Sequence, residues 1–178
     1  DVVTIDAANA KIKGASGIVA SNNGADTSDV ILLTLTGATV ESTAGDAIKV
    51  TTNAGDFSII TGTDIKAAGG DALNLKTDGD GDLTVNGTAK LDVTGSGNGI
   101  KLTSTDVDGV LNIGTTGTGY AGAINVATGN GIDAESSAGA AVNIKTAATG
   151  AIKAITGDGI HVDGGAGATG LVTITTNG

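Results

Sequence analysis

The sequence has 178 residues, 31 of them Gly, with no Pro, Cys, Met or Trp, a single Phe and Tyr, and a net charge of −10. An acidic chain whose cations are all Lys suits neither phosphate backbones nor anionic membranes, so nucleic acid is excluded as an expected partner. Membrane insertion is excluded by the lack of any apolar run of about 18 residues, disulfides by the lack of Cys, and disorder by 42 Val, Ile, Leu and Phe placed in strict alternation.

The predicted elements repeat along the chain. A first strand at Val3-Thr-Ile5 is followed by one centred on Ile12 and one that begins after Ser16-Gly-Ile18. The triplet recurs as Leu33-Thr-Leu35, Val40 and Asp46-Ala-Ile48, then as Phe57-Ser-Ile59, Ile65 and Asp71-Ala-Leu73. It continues through Leu83-Thr-Val85, Leu91 and Asn98-Gly-Ile100, and through Leu111-Asn-Ile113, Ile124 and Asn130-Gly-Ile132. Val142-Asn-Ile144, Ile152 and Asp158-Gly-Ile160 complete it, and Val172-Thr-Ile174 opens a further turn. The third-strand anchors are spaced by 30, 25, 27, 32 and 28 residues, a mean of about 28.

Ala47-Ile-Lys-Val50 and Gly159-Ile-His-Val162 alternate apolar and polar with the period of a half-buried strand. Gly-Asp, Asn-Gly and Asp-Gly pairs between strands turn the chain sharply. Strands this short bury their apolar side only when each turn stacks on the last, at about 4.8 Å. The pattern therefore predicts an all-β fold, a right-handed parallel β-helix (β-solenoid) of about six turns with three short strands per turn, forming one domain over 1–178. The right hand follows the general preference of parallel connections.

Stacking would align outward positions into columns. One reads Lys13, Glu41, Lys66, Asp92, Asn125 and Lys153, whose alternating signs favour one register. A second reads Thr4, Thr34, Ser58, Thr84, Asn112, Asn143 and Thr173, beside Asp6, Thr36, Ile60, Asn86, Gly114, Lys145 and Thr175. Too few rungs carry a Thr-x-Thr pair for an ice-binding ladder, and β-propensity accounts for the Thr.

No catalytic, cofactor or metal residues are assigned. Asp78, Asp80 and Asp82 form the densest carboxylate cluster, but Leu83 stands where a calcium loop needs Gly, so a solvated corner is expected. His161 is the sole histidine and falls in an outward column with Val19, Lys49, Asn74, Lys101 and Asp133. Asp133 and Glu135 share a face, with Asp163 one rung from Glu135. A glycosidase pair needs two such carboxylates across a groove, and no aromatic stands nearby to stack a sugar. The chain is thus expected not to be an enzyme. The longest loops, Ser21 to Asp29 and Gly114 to Gly122, are the candidate contact regions, with Tyr120 as the contact residue.

Gly157-Asp-Gly-Ile-His-Val162, Gly129-Asn-Gly-Ile132 and the closing Gly170-Leu-Val-Thr-Ile-Thr-Thr-Asn-Gly178 resemble repeats in the passenger regions of Gram-negative autotransporters and related bacterial surface adhesins. The resemblance spans nearly the whole chain and implies export to an extracellular or cell-surface β-helical stalk. It transfers no functional residue. The chain opens on Val2-Val-Thr-Ile5 with no signal peptide and no polar cap at either end, so a mature product, or a segment or subunit of a longer fibre, is expected. Function is expected to be structural: a rigid rod or a head-to-tail filament whose partner is itself or neighbouring repeats. The alternative is an adhesin module that binds a surface glycan through its loops.

Overall fold

The computed structural model describes residues 2–24, 26–114, 118–165 and 170–177. Its strands follow one another in turns. The first turn holds β1 (Val2–Ala8), β2 (Lys11–Gly14) and β3 (Ile18–Asn22), and the second β4 (Val30–Thr36), β5 (Thr39–Ser42) and β6 (Ile48–Thr52). The third holds β7 (Asp56–Thr61), β8 (Ile65–Ala67) and β9 (Leu73–Thr77), and the fourth β10 (Leu83–Gly87), β11 (Leu91–Ser96) and β12 (Ile100–Ser104). The fifth has β13 (Val110–Ile113), β14 (Ile124–Thr128) and β15 (Ile132–Ser136). The sixth has β16 (Ala141–Thr146), β17 (Ile152–Ala154) and β18 (Ile160–Asp163), and β19 (Val172–Thr176) lies beyond it.

Every third strand belongs to the same sheet. Sheet A runs β1-β4-β7-β10-β13-β16-β19, sheet B β2-β5-β8-β11-β14-β17, and sheet C β3-β6-β9-β12-β15-β18. All pairings within them are parallel. The chain is a β-solenoid of about six turns with three strands per turn, and the spacing of parallel strands makes it about 29 Å long.

The core lies between the three sheets. Ile59, Leu83, Leu111 and Val142 point in from sheet A, Ile65, Leu91 and Ile124 from sheet B, and Leu73, Ile100 and Ile132 from sheet C, all fully buried. Without Trp or Met the interior is filled by branched aliphatics of similar size, each stacked on its equivalent one turn away. The two aromatics, Phe57 and Tyr120, are buried with them. Toward the ends the same inward positions open: Val3 is 43% exposed and Ile174 47%, whereas their partners one rung inward, Ile31 and Ile144, are each 1% exposed.

Sheets B and C take the register predicted from the sequence, down to the column Lys13, Glu41, Lys66, Asp92, Asn125 and Lys153. Sheet A corrects it over the first turns. Ile5 pairs with Leu33 and Leu33 with Ile59, so Leu32, not Thr34, stands between Thr4 and Ser58. Thr34 moves to the neighbouring column between Asp6 and Ile60, in place of Thr36. A slip of two residues keeps every side chain on its face, so alternation cannot tell the registers apart. The adopted one places Ile31 on Phe57 and buries both.

Because each rung rests on its neighbours, the cost of a cavity should depend on height along the rod. Leu102→Ala, in the middle of sheet C, is expected to cost about 2 to 5 kcal/mol. Ile174→Ala should cost well under half as much, as measured by urea unfolding.

Candidate functional site

The corners before sheet C carry a continuous side-chain ladder. The Asp46 carboxylate accepts the Asp71 backbone N–H at 2.8 Å, and Asp71 accepts that of Asn98 at 2.6 Å. The Asn98 side-chain oxygen then accepts the Asn130 N–H at 2.8 Å, and Asn130 that of Asp158 at 2.9 Å. Asp or Asn is needed here because a short side chain must return an acceptor to the next corner's backbone. The Asn74 amide donates to both Asp46 and Asp71 at 3.0 Å, separating two carboxylates. Burial raises the Asp71 pKa, against the lowering effect of the Asn98 N–H; the Asp46 charge adds to the rise.

This ladder absorbs the acidic group singled out from the sequence. Asp133 points outward yet is only 6% exposed, because the Asn98 and Asn130 amides donate to its two oxygens at 3.3 Å. Lys101 bridges Glu135 at 3.3 Å and approaches Asp133 at 3.8 Å. Glu135 does stand beside Asp163 on the next rung. His161 lies in its predicted column and contacts Asp158 at 3.5 Å. These groups hold the corner and the face of sheet C, and neither of the two concavities described below involves them.

The Asp78, Asp80 and Asp82 cluster separates into three environments. Asp78 pairs with Lys76 at 2.6 Å, and Asp82 accepts the Val110 N–H at 2.8 Å in a second corner ladder begun by Asp56. Asp80 instead faces the next rung, where its carboxylate and those of Asp106 and Asp108 lie within 4.8 Å of one another. The Asp106 charge, then slight burial, then the Asp108 charge raise the Asp80 pKa. Asp106 also accepts the N–H groups of Val107 at 2.6 Å and Asp108 at 3.2 Å, the signature of a tight turn.

Tyr120 overturns its expected role. It is 1% exposed, its hydroxyl donates to the Ala89 carbonyl at 2.7 Å, and burial pushes its pKa far up. Its backbone bridges Thr146, so it anchors the return of the chain to the rod instead of reaching solvent. In a chain with one other aromatic, core placement was the stronger signal. Within the two predicted contact loops, Ala25 and residues 115–117 lie outside the described residues.

Among the described residues, the outer faces of sheets A and B carry concavities. On sheet B a hollow of about 530 Å³ runs past Lys66, Asp92, Asn125 and Lys153. On sheet A a groove of about 500 Å³ is bordered by Thr84, Asn112, Asn143 and Thr173 on one side and Lys145 and Thr175 on the other. Gly114, one of the residues lining this groove, follows β13 and donates its N–H to the Val85 carbonyl at 2.8 Å. Its φ of 75° and the nearby backbone of Lys145 and Tyr120 leave no place for a Cβ. Asn143 donates its amide to the Asn112 side-chain oxygen at 3.1 Å across the groove floor.

No family model, no curated protein and no solved structure matches the chain.

Two substitutions separate ladder from cluster. Asp71→Ala strands the Asn98 N–H and should cost about 1 to 3 kcal/mol in urea unfolding. Asp80→Asn should instead raise the melting temperature at pH 7. The native Asp80 pKa lies above its unfolded value, so its charge weakens the fold above the native pKa. That penalty fades as pH falls through the native pKa and is gone below the ordinary value of 3.8. The gain from Asp80→Asn should vanish over the same window.

Proposed function

We propose that this chain is a rigid structural rod at the cell exterior, built into a longer stalk or a head-to-tail filament, with the right-handed coil that parallel connections favour. The observation that carries this reading is the uninterrupted stacking of three parallel sheets around one continuous aliphatic core. A stack of this kind lengthens by adding rungs, whether from the same chain or from another copy. The autotransporter and adhesin resemblance supports export, as do the acidic surface and the lack of Cys. No enzymatic step belongs to this reading, since the carboxylates Asp133 and Glu135 are engaged in the corner network.

Electron microscopy and sedimentation over a range of concentrations test it. Extended particles well beyond about 29 Å are expected at high concentration, and Ile174→Asp should shorten them. Isolated short rods at every concentration would overturn the filament.

A second reading, a binding module that displays a surface contact, is favoured by the sheet A groove alone. It places recognition on Asn and Thr side chains beside the Gly114 to Gly122 loop and not on Tyr120.

A further inference from the structure

We propose that the sheet A groove is a binding site for a linear, neutral oligosaccharide lying along the rod axis. This rests on the binding-module reading and names its ligand.

The groove is a fixed concavity. Gly114, on its lining, has a left-handed backbone packed against the backbone of Lys145 and Tyr120, with no room for a Cβ. Tyr120 is fastened to Ala89 and Thr146 immediately behind it. The groove is therefore already formed before any ligand arrives, which limits the ordering cost of binding.

The lining selects the chemistry. Thr84, Asn112, Asn143 and Thr173 occupy successive rungs of one column. Polar side chains thus recur about every 4.8 Å over roughly 14 Å, close to the repeat of hexose units in an extended chain. The Asn143 to Asn112 bond uses one donor and one acceptor of a pair of amides, each of which can serve more, and each Thr hydroxyl both donates and accepts. Adjacent hydroxyls on a sugar present that same mixture. Among the described residues Lys145 is the one charged group on the rim, and it already has a partner within the protein. With a net charge of −10, the chain gives an anionic polymer little reason to settle there.

No aromatic lines the groove to stack a sugar ring, so a single site should bind with Kd on the order of 1 mM, strengthened where many rods are displayed together.

Proton–nitrogen NMR spectra of the isotope-labelled chain, titrated with cello-, malto- and laminari-oligosaccharides, test the proposal. At least one series should shift the side-chain amides of Asn112 and Asn143. Asn112→Leu and Thr84→Val should weaken that binding by about tenfold or more. Thr34→Val, on the same face two turns away, should not. Leu32 already occupies the Asn112 column, so the Leu variant is expected to fold, and its melting curve checks this. Shifts confined to residues 21–29 would overturn the groove as the site while showing that the chain binds a saccharide through its other long loop. Groove shifts produced only by oligogalacturonates or by a Ser/Thr-rich peptide would overturn the neutral saccharide. No shift with any probe at about 10 mM would sink both.

Discussion

Among the described residues, each strand of this protein pairs with its equivalents one turn before and one turn after, and everything else in the structure answers to that restriction. A strand of three to seven residues has too little apolar surface to hold itself in place. Stacked, the strands close three parallel sheets around a column of Ile, Leu and Val that never widens. The core grows in length alone, which is why its residues vary so little in size and why aromatics are almost dispensable. Stability is then a sum of rung-to-rung terms and not a property of one compact centre.

Corners are the weak places in such a stack, because there the sheets end and the backbone still needs partners. Side chains of Asp and Asn supply them, rung by rung, from Asp46 to Asp158 before sheet C and from Asp56 to Val110 before sheet A. The solution concentrates negative charge. Where an amide intervenes, as Asn74 does between Asp46 and Asp71, the charges are accommodated. Where three carboxylates meet, at Asp80, Asp106 and Asp108, repulsion shows in the raised Asp80 pKa.

The fold was legible because two periods coincide in the sequence, alternation within strands and a repeat of about 28 residues between them. Those signals set the anchors and outward columns of sheets B and C, with a register shift between Val93 and Ser96 in sheet B that they did not foresee. They could not set sheet A at β4, where Val30-Ile-Leu-Leu-Thr-Leu supplies apolar residues at enough positions for two registers to bury the same face. Packing of Ile31 on Phe57 decided it. The surface was harder to read. A Tyr in a Gly-rich stretch looks exposed until the chain is seen to fold it back onto Ala89, and Asp80 looks like a neighbour of Asp78 until the next rung brings Asp106 beside it. The groove had no motif at all: Thr84, Asn112, Asn143 and Thr173 come from four successive turns, and their column exists only once the turns are stacked.

The corner ladder before sheet C has a direction. Each side-chain oxygen accepts from the rung that follows it in the chain, and none in that series from the rung before. A rung already in place therefore holds out an acceptor to its successor, while its predecessor must bring its own. The ladder is thus polar: along this series each rung presents a side-chain acceptor toward the last turn and a backbone donor toward the first, so the two ends of the stack differ chemically.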